Sequence, residues 1–172
     1  MTSTESPKSI LKLNLEGNPV LRHVLEKTNT HQDLEWDKIS DLMHRTMILA
    51  NGIGLAANQA NVGLRMFVLN NDKMTFINPE IIESSQETQT IEEGCLSFPN
   101  LFFTVTRPRS ILVSWMDAQL KPQVDRFEGI WAQCIQHEID HLNGVLFIDY
   151  ASKFKLTRAR EKQKKANDTS RR

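Results

Sequence analysis

Apolar and polar positions along this chain fall into blocks, and the period changes from block to block. From Asp33 to Ala50, Ile39, Leu42, Met43 and Met47 keep helical spacing, with Asp33 as a candidate N-cap and Asn51-Gly52 as the stop. The stretch GIGLAANQANVG is too glycine-rich for a regular strand interior; glycines there read either as a plain turn or as backbone brought close to something. Short β-type runs follow at Arg65–Leu69, Thr75–Ile82, Thr104–Arg107 and Ile111–Met116. A turn at Asp117–Pro122 leads into a returning strand, Gln123–Phe127. Gly129 to Leu142 is helical, with Gly144 just past its end. Ala151–Lys165 is a further helix, polar enough to be expected to fray into solvent. Near the start, ILKLNLEGNPVLRHV alternates and then breaks at Gly17 and Asn18-Pro19. Strands in series, not alternating with helices, predict an α+β fold. Its expected form is short antiparallel or mixed sheets around a central helix, with an N-terminal helix and a C-terminal helical tail.

At 172 residues the chain suits one core, and no repeat or Pro/Gly-rich linker divides it. Residues 1–150 read as one catalytic domain and 151–172 as a basic tail. Twenty-one basic and 21 acidic residues cancel, which excludes a body built to coat nucleic acid and gives no DNA partner. The balance is uneven, because from Ser152 onward nine Lys and Arg face only Glu161 and Asp168. No apolar run approaches the ~20 residues of a membrane span. MTSTESPKSI lacks the apolar segment of a secretory signal, and Cys95 and Cys134 offer no disulfide framework. A reducing cytoplasm is the expected compartment.

The richest chemistry lies in QHEIDHLNG. On a helix His137 and His141, at i and i+4, share a face, with Glu138 beside them. Two imidazoles and a carboxylate are the parts needed to hold a metal ion and move a proton from water, although H-E-x-x-H alone is a weak motif. A catalytic site of this kind takes a third protein ligand. The H-E-x-x-H-x-x-G-x-x-H pattern fails at Phe147, and Glu161, the only downstream glutamate, lies in the tail. His23, His31 and His44 lie far upstream and read as surface or half-buried histidines. Cys134 is seven residues from His141, about 10 Å along the axis, and reads as a wall residue. Cys95, in EEGCLS beside Gly94, has two readings: an ordinary buried thiol, or the third ligand arriving from a separate segment. With Cys95 the set becomes Cys-His-His with an open fourth position, where a purely structural module needs four ligands. Thiolate and imidazole suit zinc, but Fe(II), Co and Ni also accept such sites.

Three blocks, GIGLAANQ (52–59), EGCLS (93–97) and QHEIDHLNG (136–144), resemble those of the peptide deformylase family in order and spacing. The similarity extends from about Ile10 to Tyr150, with NPVLRHV before the blocks and GVLFIDY after them. The resemblance implies a compact α+β fold with the metal helix between sheets. It implies hydrolysis of the formyl group of N-formylmethionyl nascent peptides, releasing formate. The family's metal ligands fall on Cys95, His137 and His141, and its general base on Glu138. Its oxyanion donors fall on the Gln59 side chain and the Leu96 backbone N–H. The implied native ion is Fe(II), with Zn, Ni or Co in a purified protein. The peptide is expected to run beside Ile53 and Gly54, with Glu93 and Gly94 also in the cleft.

The first side chain would enter a pocket walled by Ile130, Gln133 and Cys134. Gln133 departs from the aliphatic residue often found there, and this predicts a broader tolerance for the first side chain. Asn100–Phe103 reads as core, with a peptide-binding lip as the other reading, and Asp140 reads as a supporting or salt-bridging carboxylate, not a ligand. The basic tail is either a solvated end or, as the resemblance implies, a contact for ribosomal RNA, in which case cutting at Ser152 should spare activity on short peptides. The rival activity is a metalloprotease built on the same H-E-x-x-H helix.

Overall fold

Among residues 10–30 and 34–169, which the computed structural model describes, seven strands and three helices follow one another. The first helix, α1 (Trp36–Leu49), turns Trp36, Met43 and Met47 inward. The expected N-cap, Asp33, lies outside the described residues; Glu35 stands at the cap position without a capping side-chain bond. The glycine-rich block holds more regular structure than its composition predicts: a buried strand, β1 (Gly54–Ala56), and a 3-10 turn over Ala57–Ala60. A strand this short tolerates Gly54 because its backbone packs tightly, a point taken up at the site.

The expected strands then appear, β2 one residue shorter and the rest with longer ends: β2 (Met66–Leu69), β3 (Met74–Ser84), β5 (Phe98–Pro108), β6 (Ser110–Met116) and β7 (Pro122–Glu128). Besides β1, a second strand was not anticipated, β4 (Thr88–Cys95), whose sequence TQTIEEGC has no apolar alternation to read. All pairings are antiparallel, in a five-stranded sheet ordered β1-β2-β3-β6-β7 and a separate β4–β5 hairpin.

Residues of β2 point alternately to opposite faces, so one strand serves two cores. Phe67 and Leu69 meet Ala132, Ile135 and Ile139 of α2 (Gly129–Leu142), while Met66 and Val68 meet Met43 and Met47 of α1. α2 also touches both strands of the hairpin, so it lies between the two sheets. Its end is fixed at Gly144, in the left-handed region at φ 70°, where a Cβ would lie 2.4 Å from the Arg22 carbonyl oxygen.

A third core fills the hairpin's inner face: Phe98, Leu101, Phe103 and Val105 pack with Leu21, Phe147 and Ala159. The two readings of Asn100–Phe103 divide by strand alternation, with Leu101 and Phe103 buried while Asn100 and the half-exposed Phe102 line the cleft. The tail does not fray. α3 (Lys153–Thr169) begins at Ser152, whose hydroxyl accepts from the Lys155 N–H, and docks along β5. Ala159 is buried, Lys155 Nζ donates to the Thr104 carbonyl at 2.9 Å, and Gln163 Nε2 donates to the Pro99 carbonyl at 2.7 Å. A small residue amid long polar ones gave the helix a docking stripe that its mean polarity hides.

Candidate metal centre and active site

The i, i+4 spacing on α2 sets the His137 and His141 rings 5.0 Å apart, centroid to centroid. The unanticipated strand β4 ends at Cys95 and delivers its sulfur 3.2 Å from His141 Nε2. Ligand atoms of Cys95, His137 and His141 all lie within 4.8 Å of one another, the only such group of three among the described residues. Cys134 is outside this group. Burial, with Glu138 and Glu93 nearby, pushes its thiol up to about 12, so it remains a protonated wall residue. Phe147, where a third histidine fails to appear, stacks on Phe103 at 4.7 Å and lies against the His137 ring.

The carboxylate behind the ligands is Glu93. Its Oε2 accepts from His137 Nδ1 at 2.9 Å and Arg107 Nη2 at 3.1 Å; its Oε1 accepts from Arg107 Nε at 2.6 Å and Gln133 Nε2 at 2.5 Å. Engaging Nδ1 leaves Nε2 of His137 for a metal, the usual division of labour on a ligating imidazole. Burial alone would raise the Glu93 pKa, but the bonds from His137 and Arg107 overcome it and hold the carboxyl at about 2. Burial lowers the proton affinity of His137, yet the Cys95 sulfur and Glu93 outweigh it and carry it well above the imidazole range. Burial and the neighbouring His137 hold His141 well below that range. A thiol and two imidazoles converging on one point are a donor set that fits a divalent cation. Beyond Glu93, Arg107 Nη1 donates to Asp140 Oδ2, which also accepts from the Tyr150 hydroxyl. Asp140 thus supports the site through Arg107 and touches neither imidazole.

Glu138 is buried, and burial lifts its carboxyl to about 7 against the pull of His137. Its Oε2 has no hydrogen-bond partner among the described residues. Gly54 explains itself here: a Cβ would lie 2.3 Å from Glu138 Oε1, so the glycine of β1 is what lets the acid reach the cleft. Gln59 is clamped at its oxygen by the Ala56 N–H at 2.9 Å. That turns Nε2 toward Cys95 Sγ at 3.4 Å and Ser97 Oγ at 3.1 Å.

The cleft, about 780 Å³, is lined by Gln59, Cys95, Leu96, His137 and Glu138 together with Ile53, Gly54, Glu93, Gly94, Ile130, Gln133 and Cys134. Every residue singled out for the site except His141 therefore lines one space, and there the Glu93 carboxylate is taken up by His137, Arg107 and Gln133. His44 is buried beneath α1, His23 is exposed, and His31 lies outside the described residues.

Sequence reasoning missed Arg107, Ser97 and Asn58, whose Nδ2 holds the His141 carbonyl at 2.7 Å. For Arg107 a signal existed: Leu101, Phe103 and Val105 point inward, so the next inward position places an arginine where only a buried acid can receive it.

Fold and site together define an α+β metallohydrolase of the H-E-x-x-H type. The family model for polypeptide deformylase matches residues 10–157. A peptide deformylase of Rhizobium meliloti (strain 1021) is 46% identical over 154 residues, covering 86% of this chain and 88% of that protein. The crystal structure of a peptide deformylase from Legionella pneumophila superposes with a TM-score of 0.84 at 36% identity, covering 95% of this chain and 99% of that one. A peptide deformylase from Synechococcus elongatus, solved in complex with actinonin, gives 0.83 at 34% identity, covering 95% and 93%. This chain belongs to the peptide deformylase family.

Proposed function

We propose that this protein removes the formyl group from N-formylmethionyl nascent peptides and releases formate. The observation that carries the reading is the convergence of Cys95, His137 and His141 within 4.8 Å, beside a buried Glu138 whose Oε2 has no partner among the described residues. In this reading the three residues hold one divalent ion, Fe(II) natively and Zn, Ni or Co in its place after purification. When bound, that ion supplies Lewis-acid activation of water and of the formyl oxygen.

The chain's own residues supply the rest. Glu138 takes a proton from the attacking water and returns it to the leaving α-amino nitrogen. Gln59 Nε2, aimed by its clamp on the Ala56 N–H and exchanging its long contact with Cys95 Sγ, and the Leu96 backbone N–H donate to the oxygen that gains negative charge. Ile53 and Gly54 offer backbone at the cleft edge for a peptide to join as an added strand. Ile130 and Cys134 wall the pocket for the first side chain.

Anaerobically purified protein should release formate from a formyl-Met tripeptide without cleaving the peptide. Peptide fragments without formate would instead identify a protease. Glu138→Ala should keep its metal and lose at least ~100-fold in kcat, the scale of a lost general base. Near-parental turnover in the metal-replete variant would reject that role.

A second reading concerns partners. Docked α3 turns Lys153, Arg158, Lys162 and Lys164 outward, which favours contact with ribosomal RNA over a merely solvated end. Reversing Arg158, Lys162 and Lys164 to Glu should abolish co-sedimentation with ribosomes at low salt. Unchanged co-sedimentation would remove the idea.

A further inference from the structure

A buried carboxylate has about four acceptor directions, and each one left empty carries a desolvation cost. Glu93 is 6% exposed, and all four directions are filled: two by Arg107, one by His137 and one by Gln133. Arg107 and His137 are themselves charged or metal-directed. Gln133, 1% exposed, supplies the only neutral side-chain donor of the set. Its amide nitrogen has two hydrogens, and both are engaged: one on Glu93 Oε1 at 2.5 Å and one on the Val105 carbonyl at 3.2 Å. Its oxygen accepts from Gln89 Nε2 at 3.3 Å, and the same Gln89 nitrogen donates to the Gly129 carbonyl at 2.7 Å. The amide is therefore fixed at both ends between β4, β5 and the first turn of α2.

We propose that Gln133 is a positioning residue, its amide locking Glu93 behind His137 while no amide hydrogen remains for a substrate. The proposal rests on the deformylase reading of the site and deepens it. Glu93 rotates freely about its last bond unless both oxygens are held. Arg107 holds both oxygens from one side, and Gln133 closes the other side of Oε1. That fixes Oε2, hence the His137 ring and the direction of its Nε2. The consequence for the first-residue pocket reverses the expectation of relaxed tolerance drawn from the polar residue type. Beside Ile130 and Cys134, Gln133 offers the cleft no free donor, so the pocket selects an unbranched apolar side chain such as methionine over glutamine.

The test uses Gln133→Leu, Gln133→Met and Gln133→Glu in the full chain loaded with Co(II). Release of Co(II) to EDTA, followed by cobalt absorption, should quicken by about tenfold in the Leu and Met variants, the scale of a lost supporting bond. Gln133→Glu, which sets a second carboxylate against Glu93, should release fastest. With a formyl-Met tripeptide, kcat should fall while KM changes little, and the parent's preference for formyl-Met over formyl-Gln should persist in Gln133→Met. Thermal melts show which variants are folded, and the Met variant decides if the Leu variant is not. Parental Co(II) release and kcat, combined with an altered first-residue preference, would overturn the proposal and make Gln133 a pocket residue. If the parent releases no formate at all, the deformylase reading fails, and the Co(II) release comparison still decides whether Gln133 positions the ligand.

Discussion

A single methyl group separates Gly54 from blocking the site's acid, because the Cβ of any other residue would lie 2.3 Å from Glu138 Oε1. Gly54→Ala should therefore keep its metal content and lose about 100-fold in the rate of formate release, as expected when a reacting group is displaced by about 1 Å. Metal analysis alongside the assay separates displacement of Glu138 from loss of the ion; an unaltered rate would show that Glu138 does not act from this position. At this scale much of the site was legible. The helical period alone puts His137, Glu138 and His141 in reach of one another, and elimination leaves Cys95 as the candidate third ligand. What the residues alone could not tell was employment. Glu93 lines the cleft, but its place beside Cys95 does not say what its carboxylate holds. Its carboxylate faces His137 only because β4 pairs with β5 and brings Arg107 across from it. For Gln133 too, residue type gives only polarity, while the carboxylate its amide meets comes from another strand.

Elements differ in how much of themselves they write into the sequence. α1, α2 and the inner sheet strands carry clean apolar periods and were legible to within a few residues. β4 was not, since its inward positions, Gln89, Ile91, Glu93 and Cys95, mix polar with apolar residues and break the hydrophobic alternation. Its stability rests on a buried ion pair, so Arg107→Met should destabilise the fold by about 3–5 kcal/mol in urea unfolding by leaving the buried Glu93 without its guanidinium partner. A loss below about 1 kcal/mol would mean that water or another cation reaches the carboxylate. α1 carries the opposite case, a buried group that resists charging. Burial, then the Lys73 ammonium, lowers His44 to about 4 against the pull of Asp41. In the unfolded chain the same imidazole titrates near ~6.5. The unfolded state therefore binds the proton first as pH falls, so this stabilisation is whole above about 6.5 and shrinks toward pH 4. Urea midpoints measured at several pH values across that window should fall less steeply in His44→Gln than in the parent; parallel slopes would sink the assignment.

For the whole molecule, the helix expected to be loose turns out to brace the wall of the cleft. Arg160 pairs with Glu16, whose own N–H donates to the Ser97 carbonyl at 2.8 Å, two residues from Cys95. Gln163 holds the Pro99 carbonyl, and Asn167 accepts from Asn100 Nδ2 at 2.8 Å; Pro99 and Asn100 both line the cleft. α3 also covers the hairpin core at Ala159. The tail's charge was plain in the sequence, but its contacts were not, because they consist of long polar side chains reaching backbone carbonyls on another element. Removing everything after Ser152 strips a partly shielded ion pair, several hydrogen bonds and one face of an apolar cluster. A loss of about 2–4 kcal/mol follows from those contributions, which for a chain of this length is a fall of about 5–15 °C in melting temperature. The same cut frees the Ser97–Asn100 segment beside Cys95. KM for a formyl-Met tripeptide should therefore rise even where the truncated protein remains folded, contrary to the spared activity expected of a tail that only contacts ribosomal RNA. The surface variants of Arg158, Lys162 and Lys164 keep these braces, so their melting temperature and KM should match the parent. Were truncation to leave both quantities unchanged, α3 would be an appendage after all, and the cleft wall would stand on β4 and β5 alone.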